Sequence, residues 1–182
     1  MTALRRSIHT RPQRHRARLA AALLGAALLP WAPGPARALE GPKGKVVLSI
    51  TGKVAGGNAG ERADFDMAML EALPQQSFTA ETPWFKAPRK FSGPLLRDVM
   101  AAAGARGQIL QAVALNDYKV EIPFEDIEKF KVVLATRLDG QPMAVRDKGP
   151  LFIIYPFHES ATLRSERYYS RSAWQLRTID VK

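Results

Sequence analysis

The sequence predicts an α/β domain with a mixed β-sheet and a few short helices. Three observations carry that expectation. Four apolar, β-prone pieces, at residues 109–115, 118–122, 132–138 and 151–155, crowd into one stretch. Breaks with turn chemistry separate them: Asn116-Asp117, Asp139-Gly140 and Lys148-Gly149-Pro150 supply tolerance of positive φ or a fixed φ. Short segments with apolar residues at helical spacing lie beside and between the strands.

In chain order, the first segment stands apart. Residues 1–18 hold Arg5, Arg6, Arg11, Arg14, Arg16 and Arg18 and no acid. The apolar run LAAALLGAALL follows, then prolines, then Ala36-Arg37-Ala38. This order is that of a secretory signal peptide, with cleavage after Ala38 and one domain over residues 39–182. The apolar run falls short of the roughly 20 residues a spanning helix needs, so no retained membrane anchor is expected. Arg5-Arg6 leaves the general and the twin-arginine export routes both open. The expected location is the periplasm.

Cleavage changes the charge. The chain carries 27 basic and 17 acidic residues, a formal charge of +10. Seven arginines and no acid precede the cut, which leaves 20 basic against 17 acidic residues, or +3. Most of the basic excess therefore leaves with the leader, and no dense basic stripe remains to favour nucleic acid. The chain has no cysteine. That excludes disulfides, a thiol nucleophile and any thiolate metal ligand, so stability rests on the core.

Residues 46–51, VVLSIT, read as a strand from their β-branched content. Residues 55–60, AGGNAG, are a loop, because three glycines so close together cost too much backbone entropy inside an element. The spacing and lysine of a phosphate-binding loop are both missing. Residues 64–73 contain a helix with Asp66 as N-cap and Met67, Leu70 and Leu73 on one face, stopped by Pro74. Residues 76–82 alternate as a strand, and a proline-punctuated crossing with Trp84, Phe85 and Phe91 follows. The clearest helix is 95–103: Ser92 or Gly93 caps it, Pro94 suits its first position, and Gly104 ends it. Leu95, Leu96, Val99 and Met100 form its buried face. After the strand at 118–122 a short helical turn, FEDIEKF, puts Phe124, Ile127 and Phe130 on one side. The four central pieces are expected to share one sheet that the other elements cover. Residues 157–171 are the most polar stretch beyond the leader, and 173–181 alternate as a closing strand.

Several of these segments carry a resemblance. The texts NDYKVEIP, VVLATRLDGQPM and DKGPLFIIYP, with FSGPLLRDV and the closing AWQLRTIDV, resemble the oxidoreductase molybdopterin-binding domain family, whose fold is that of sulfite oxidase. The likeness runs from about Lys45 to the C-terminus. It implies a sulfite-oxidase-like scaffold with a molybdopterin held by its dithiolene and one cysteine thiolate. That cysteine would fall within residues 78–100, where this chain has none. The family's lysine in a Lys-Trp pair falls on Ala173, before Trp174, and its His-Gly-Gly-Pro text reads Asp147-Lys148-Gly149-Pro150. A soft thiolate has no substitute in threonine or glutamate without a change of metal preference.

The resemblance thus implies a cofactor-poor relative: an exported binding, accessory or sensory protein. The alternative is a molybdopterin-dependent oxidoreductase that holds its cofactor without a cysteine ligand. The candidate ligand surface joins Thr82, Trp84 and Phe85 with His158, Arg164, Arg167 and Tyr168. Arginine forks suit carboxylate or phosphate, and aromatic rings suit aromatic ligands. The expected partner is a small anionic or aromatic ligand, or a periplasmic or membrane protein. Each group also has a plain structural reading: Trp84 and Phe85 as core aromatics, His158-Glu159 as an exposed loop pair, the arginines as a solvated loop and the tyrosines packed on the sheet edge. As ligand residues, Arg164 and Tyr168 are expected to tolerate alanine with little loss of thermal stability. No metal-binding spacing and no nucleophile elbow is present.

Overall fold

A computed structural model describes residues 39–182. The expected signal peptide and its cleavage site lie outside the described residues. The fold is α/β, with a mixed sheet, antiparallel sheets and short helices.

Strand β1 (Val46–Gly52) alternates in burial, with Leu48 and Ile50 fully buried. It sits between β2 (Ala63–Asp66), which it pairs antiparallel, and β11 (Leu176–Val181), which it pairs parallel. The sheet continues through β5 (Ile109–Ala114) to β6 (Lys119–Pro123), both antiparallel pairings. The first and last strands of the described chain therefore lie side by side. The register between β11 and β5 shifts between Leu176 and Thr178. That irregularity resets the alternation: Leu176, Ile179 and Val181 are buried while Arg177 is exposed.

Asp66 caps helix α1 (Met67–Ala72) as expected, with its carboxylate accepting from the Met69 amide at 2.9 Å. The same carboxylate accepts from the amides of Gly44 at 2.7 Å and Lys43 at 2.8 Å. These bonds, those from Met69 and Gly44 foremost, hold its pKa below the ordinary value although burial works against them.

A second sheet is antiparallel in the order β3 (Gln75–Ala80), β4 (Arg89–Pro94), β8 (Arg137–Leu138), β9 (Gln141–Pro142). A third pairs β7 (Val133–Ala135) with β10 (Phe152–Ile154). The four central pieces thus do not share one sheet; they are distributed over three. Residues 132–138 do not run as one strand: β7 and β8 part at Thr136, whose amide bonds the Ser92 carbonyl at 2.9 Å. Asp139 and Gly140, both at positive φ, turn the chain from β8 into β9.

The helix expected at 95–103 is α2 (Leu96–Ala102), with Leu96, Val99 and Met100 buried. Its start differs from expectation. Ser92, Gly93 and Pro94 are strand residues that pair with Ser77, Gln76 and Gln75. No side chain caps the helix; instead the Leu96 amide bonds the Val132 carbonyl at 2.8 Å. Tertiary pairing overrides the local capping signal here. Gly93 is required for closeness, since a Cβ there would collide with the Leu134 carbonyl. Gly104 ends the helix at φ +62, a conformation other residues resist.

Helix α3 (Phe124–Lys129) follows β6 and buries Ile127. The polar stretch 157–171 holds a 3₁₀ turn at Ala161–Leu163 and helix α4 (Glu166–Arg171). One buried cluster joins these elements, with Phe65, Phe91, Phe152, Tyr155 and Phe157 among its largest fully buried members.

Candidate functional site

A cleft of about 500 Å³ opens where four segments meet. It is of the size ligand pockets have, roughly 300–1,000 Å³. Pro83 and Trp84 come from the crossing between β3 and β4. Asn116 and Tyr118 come from the turn between β5 and β6. Glu166 and Tyr169 come from α4, and Ala173 and Trp174 from the approach to β11.

Trp84 is the hub. Its ring centroid lies 5.5 Å from that of Trp174, 5.9 Å from Tyr169 and 5.4 Å from Phe152, all edge-on. Phe152 is fully buried, so it fixes the inner side of Trp84 while Tyr169 and Trp174 stand beside it. Trp174 is held by its backbone. It bridges to Phe152, and the next residue, Gln175 at φ +52, bonds both Lys148 and Leu115 through its main chain. Tyr118 closes one side by donating its hydroxyl to the Ser170 carbonyl at 3.1 Å.

The sequence of α4 explains how one short helix serves two places. Glu166, Tyr169 and Ser170 stand at i, i+3 and i+4 and line the cleft. Tyr168 and Arg171 stand at the other i, i+3 pair and face the core. There Asp126 of α3 accepts from the Tyr155 hydroxyl at 2.7 Å and from Arg171 Nη1 at 2.8 Å. Burial, and then the hydrogen bond to that carboxylate, push the Tyr155 phenol far above its ordinary range. The network ties α3, α4 and the end of β10 together with every charge paired.

Of the seven predicted ligand residues, Trp84 lines the cleft, and the other six lie outside its lining. Phe85 packs at 6.3 Å from Phe91, with the Arg89 guanidinium 5.1 Å from its centroid. Thr82 is half-buried, and its Oγ1 is buried without a hydrogen-bond partner. His158 is exposed, with its ring tilted against that of Phe78 at a centroid distance of 5.0 Å. Arg164 bonds the Phe157 carbonyl at 3.0 Å, and Arg167 is exposed on α4. Tyr168 corrects an expectation. It is only 9% exposed and packs on Phe130 and Tyr155, so it is a core side chain whose loss must be felt in stability.

The candidate surface read from the sequence omits Tyr118, Glu166, Tyr169 and Trp174, which line the cleft. The signal that separates Tyr169 from Tyr168 was helical spacing in 166–171, inside a stretch read only as polar. Among the described residues, no group of three or more His, Asp or Glu side chains is placed to hold a metal ion. No helix among them is long and apolar enough to cross a membrane.

No protein-family model matches this chain, and no curated protein matches it.

Proposed function

We propose that the chain is an exported, periplasmic binding module on a sulfite-oxidase-like scaffold, and that the aromatic cleft is its ligand site. One observation supports this above others. The resemblance assigns cofactor contact to residues 78–100 and to the pair at Ala173-Trp174. Both stretches meet at the cleft, through Pro83 and Trp84 on one side and Ala173 and Trp174 on the other. A scaffold that kept its cavity and filled it with aromatic walls is a binding device.

The residues present do not fit a molybdopterin. No thiolate exists anywhere in the chain, and alanine stands where the resemblance places lysine. Among the described residues, the one charged side chain lining the cleft is Glu166, of the wrong sign for a phosphate-bearing cofactor. The reading as a cysteine-free oxidoreductase needs a ligand set the cleft does not offer.

The test uses two tryptophans. Trp31 lies ahead of the predicted cleavage site, and the two that remain, Trp84 and Trp174, both line the cleft. Indole, a neutral aromatic probe, is expected to perturb their spectra saturably in protein recovered from the periplasm. No saturable response up to millimolar indole contradicts the proposal. Near-stoichiometric molybdenum in that protein contradicts it as well.

A further inference from the structure

The cleft has a chemical bias that its aromatic content alone does not convey. Trp84, Tyr169 and Trp174 meet at steep angles: 82° between Trp84 and Tyr169, and 68° between Trp84 and Trp174. Rings so arranged leave Trp84 parallel to neither of the other two, so it cannot sandwich a flat ligand with either of them. They form a corner, and the faces of aromatic rings carry negative potential.

The polar atoms point the same way. Four hydroxyls line the cleft, on Tyr118, Tyr169, Ser170 and Ser172. Three of them commit their proton to a backbone carbonyl. Tyr118 donates to Ser170 at 3.1 Å, Ser170 to Arg167 at 3.0 Å and Ser172 to Tyr168 at 2.9 Å. These oxygens have only lone pairs left to offer. Glu166 is exposed, and among the described residues no hydrogen bond or ion pair engages its carboxylate. Among the described residues, no lysine or arginine lines the cleft.

The protein already places a cation on one of these rings. Lys148 Nζ lies 4.2 Å from the Trp174 centroid, well inside the range of cation–π attraction.

We infer that the ligand is a small organic cation, with a substituted ammonium group seated in the corner of Trp84, Tyr169 and Trp174 and balanced by Glu166. The inference rests on the cleft being a ligand site and adds the class of ligand. It reverses the anionic preference that the arginines of 164–171 suggest in the sequence, because neither Arg164 nor Arg167 lines the cleft.

The test compares two probes of the same shape. Choline carries the charge, and 3,3-dimethyl-1-butanol has carbon in place of nitrogen. Choline is expected to bind the purified protein about tenfold more tightly than the alcohol, as a desolvated cation–π site requires. Glu166→Gln is expected to weaken choline about threefold or more and leave the alcohol unchanged. Equal affinity for the two probes overturns the cation inference. So does tighter binding of benzoate than of choline. In either case saturable indole binding keeps the cleft as a ligand site. A cleft that takes none of the probes, indole included, removes the ligand site itself.

Discussion

Tyr168 and Tyr169 are adjacent in sequence and sit on one short helix, yet they belong to different chemistry. Tyr168 packs beside the network in which Asp126 accepts from the Tyr155 hydroxyl and from Arg171. Tyr169 faces the cleft, where Glu166 has no ion-pair partner among the described residues and rings meet without closing over one another. In the first region the acid is held by a hydroxyl and a guanidinium of the protein itself. The second leaves aromatic face, lone pairs and a charge exposed to a common space. Groups without partners in a concave, aromatic setting are what the proposed binding role rests on.

The comparison breaks most visibly at the two tyrosines. Tyr168→Ala is expected to lose about 3 kcal/mol or more of unfolding free energy in urea, as buried aromatic truncations do. Tyr169→Ala is expected to cost clearly less stability and to abolish most of the indole response. Equal losses of stability in the two variants erase the distinction between the faces.

Asp126→Asn sharpens the structural side. It keeps an acceptor for Tyr155 but leaves the Arg171 guanidinium without its counter-charge. Arg171 is 21% exposed, so water relieves part of the penalty, and a loss of about 2 kcal/mol is expected rather than that of a fully buried pair. Indole binding is expected to be unchanged. Loss of binding in this variant would make the network part of the site.

The fold was legible where local pattern and tertiary structure agree. Asp66 as a cap, Gly104 as a stop and the turns at Asn116-Asp117 and Asp139-Gly140 are settled by residues a few positions apart. The failures share another cause. Ser92 to Pro94 look like a helix start, but pairing with Gln75 to Ser77 makes them strand. Residues 132–138 look like one strand, but a carbonyl at Ser92, far away in sequence, draws Thr136 aside and divides it. The site suffered similarly. Trp84, which lines the cleft, stands out in the sequence as an aromatic between prolines. Tyr118, Tyr169 and Trp174 are unremarkable in sequence and line one cleft only when the chain brings their segments together.

A smaller effect comes from pH. The Asp66 carboxyl is depressed in the folded state, so it contributes stability above its ordinary value of 3.8 and loses it as the pH falls from there through the folded value. The Tyr155 phenol is raised. Stability is therefore lost above pH 10.0, where the unfolded chain ionises and the folded one resists. Urea melts across pH are expected to decline at both ends, with Asp66→Asn flattening the acid limb and Tyr155→Phe the alkaline one. An acid limb unchanged by Asp66→Asn removes the cap from this account.

The most direct measurement is a nitrogen-15 spectrum recorded while indole is added to the protein. The side-chain N–H signals of Trp84 and Trp174 are expected to move together along one saturation curve, with the Arg171 Nε–H signal of the buried network standing still. Movement confined to the network, or tryptophan signals that never respond, would contradict the claim that the aromatic cleft is where this protein meets its ligand.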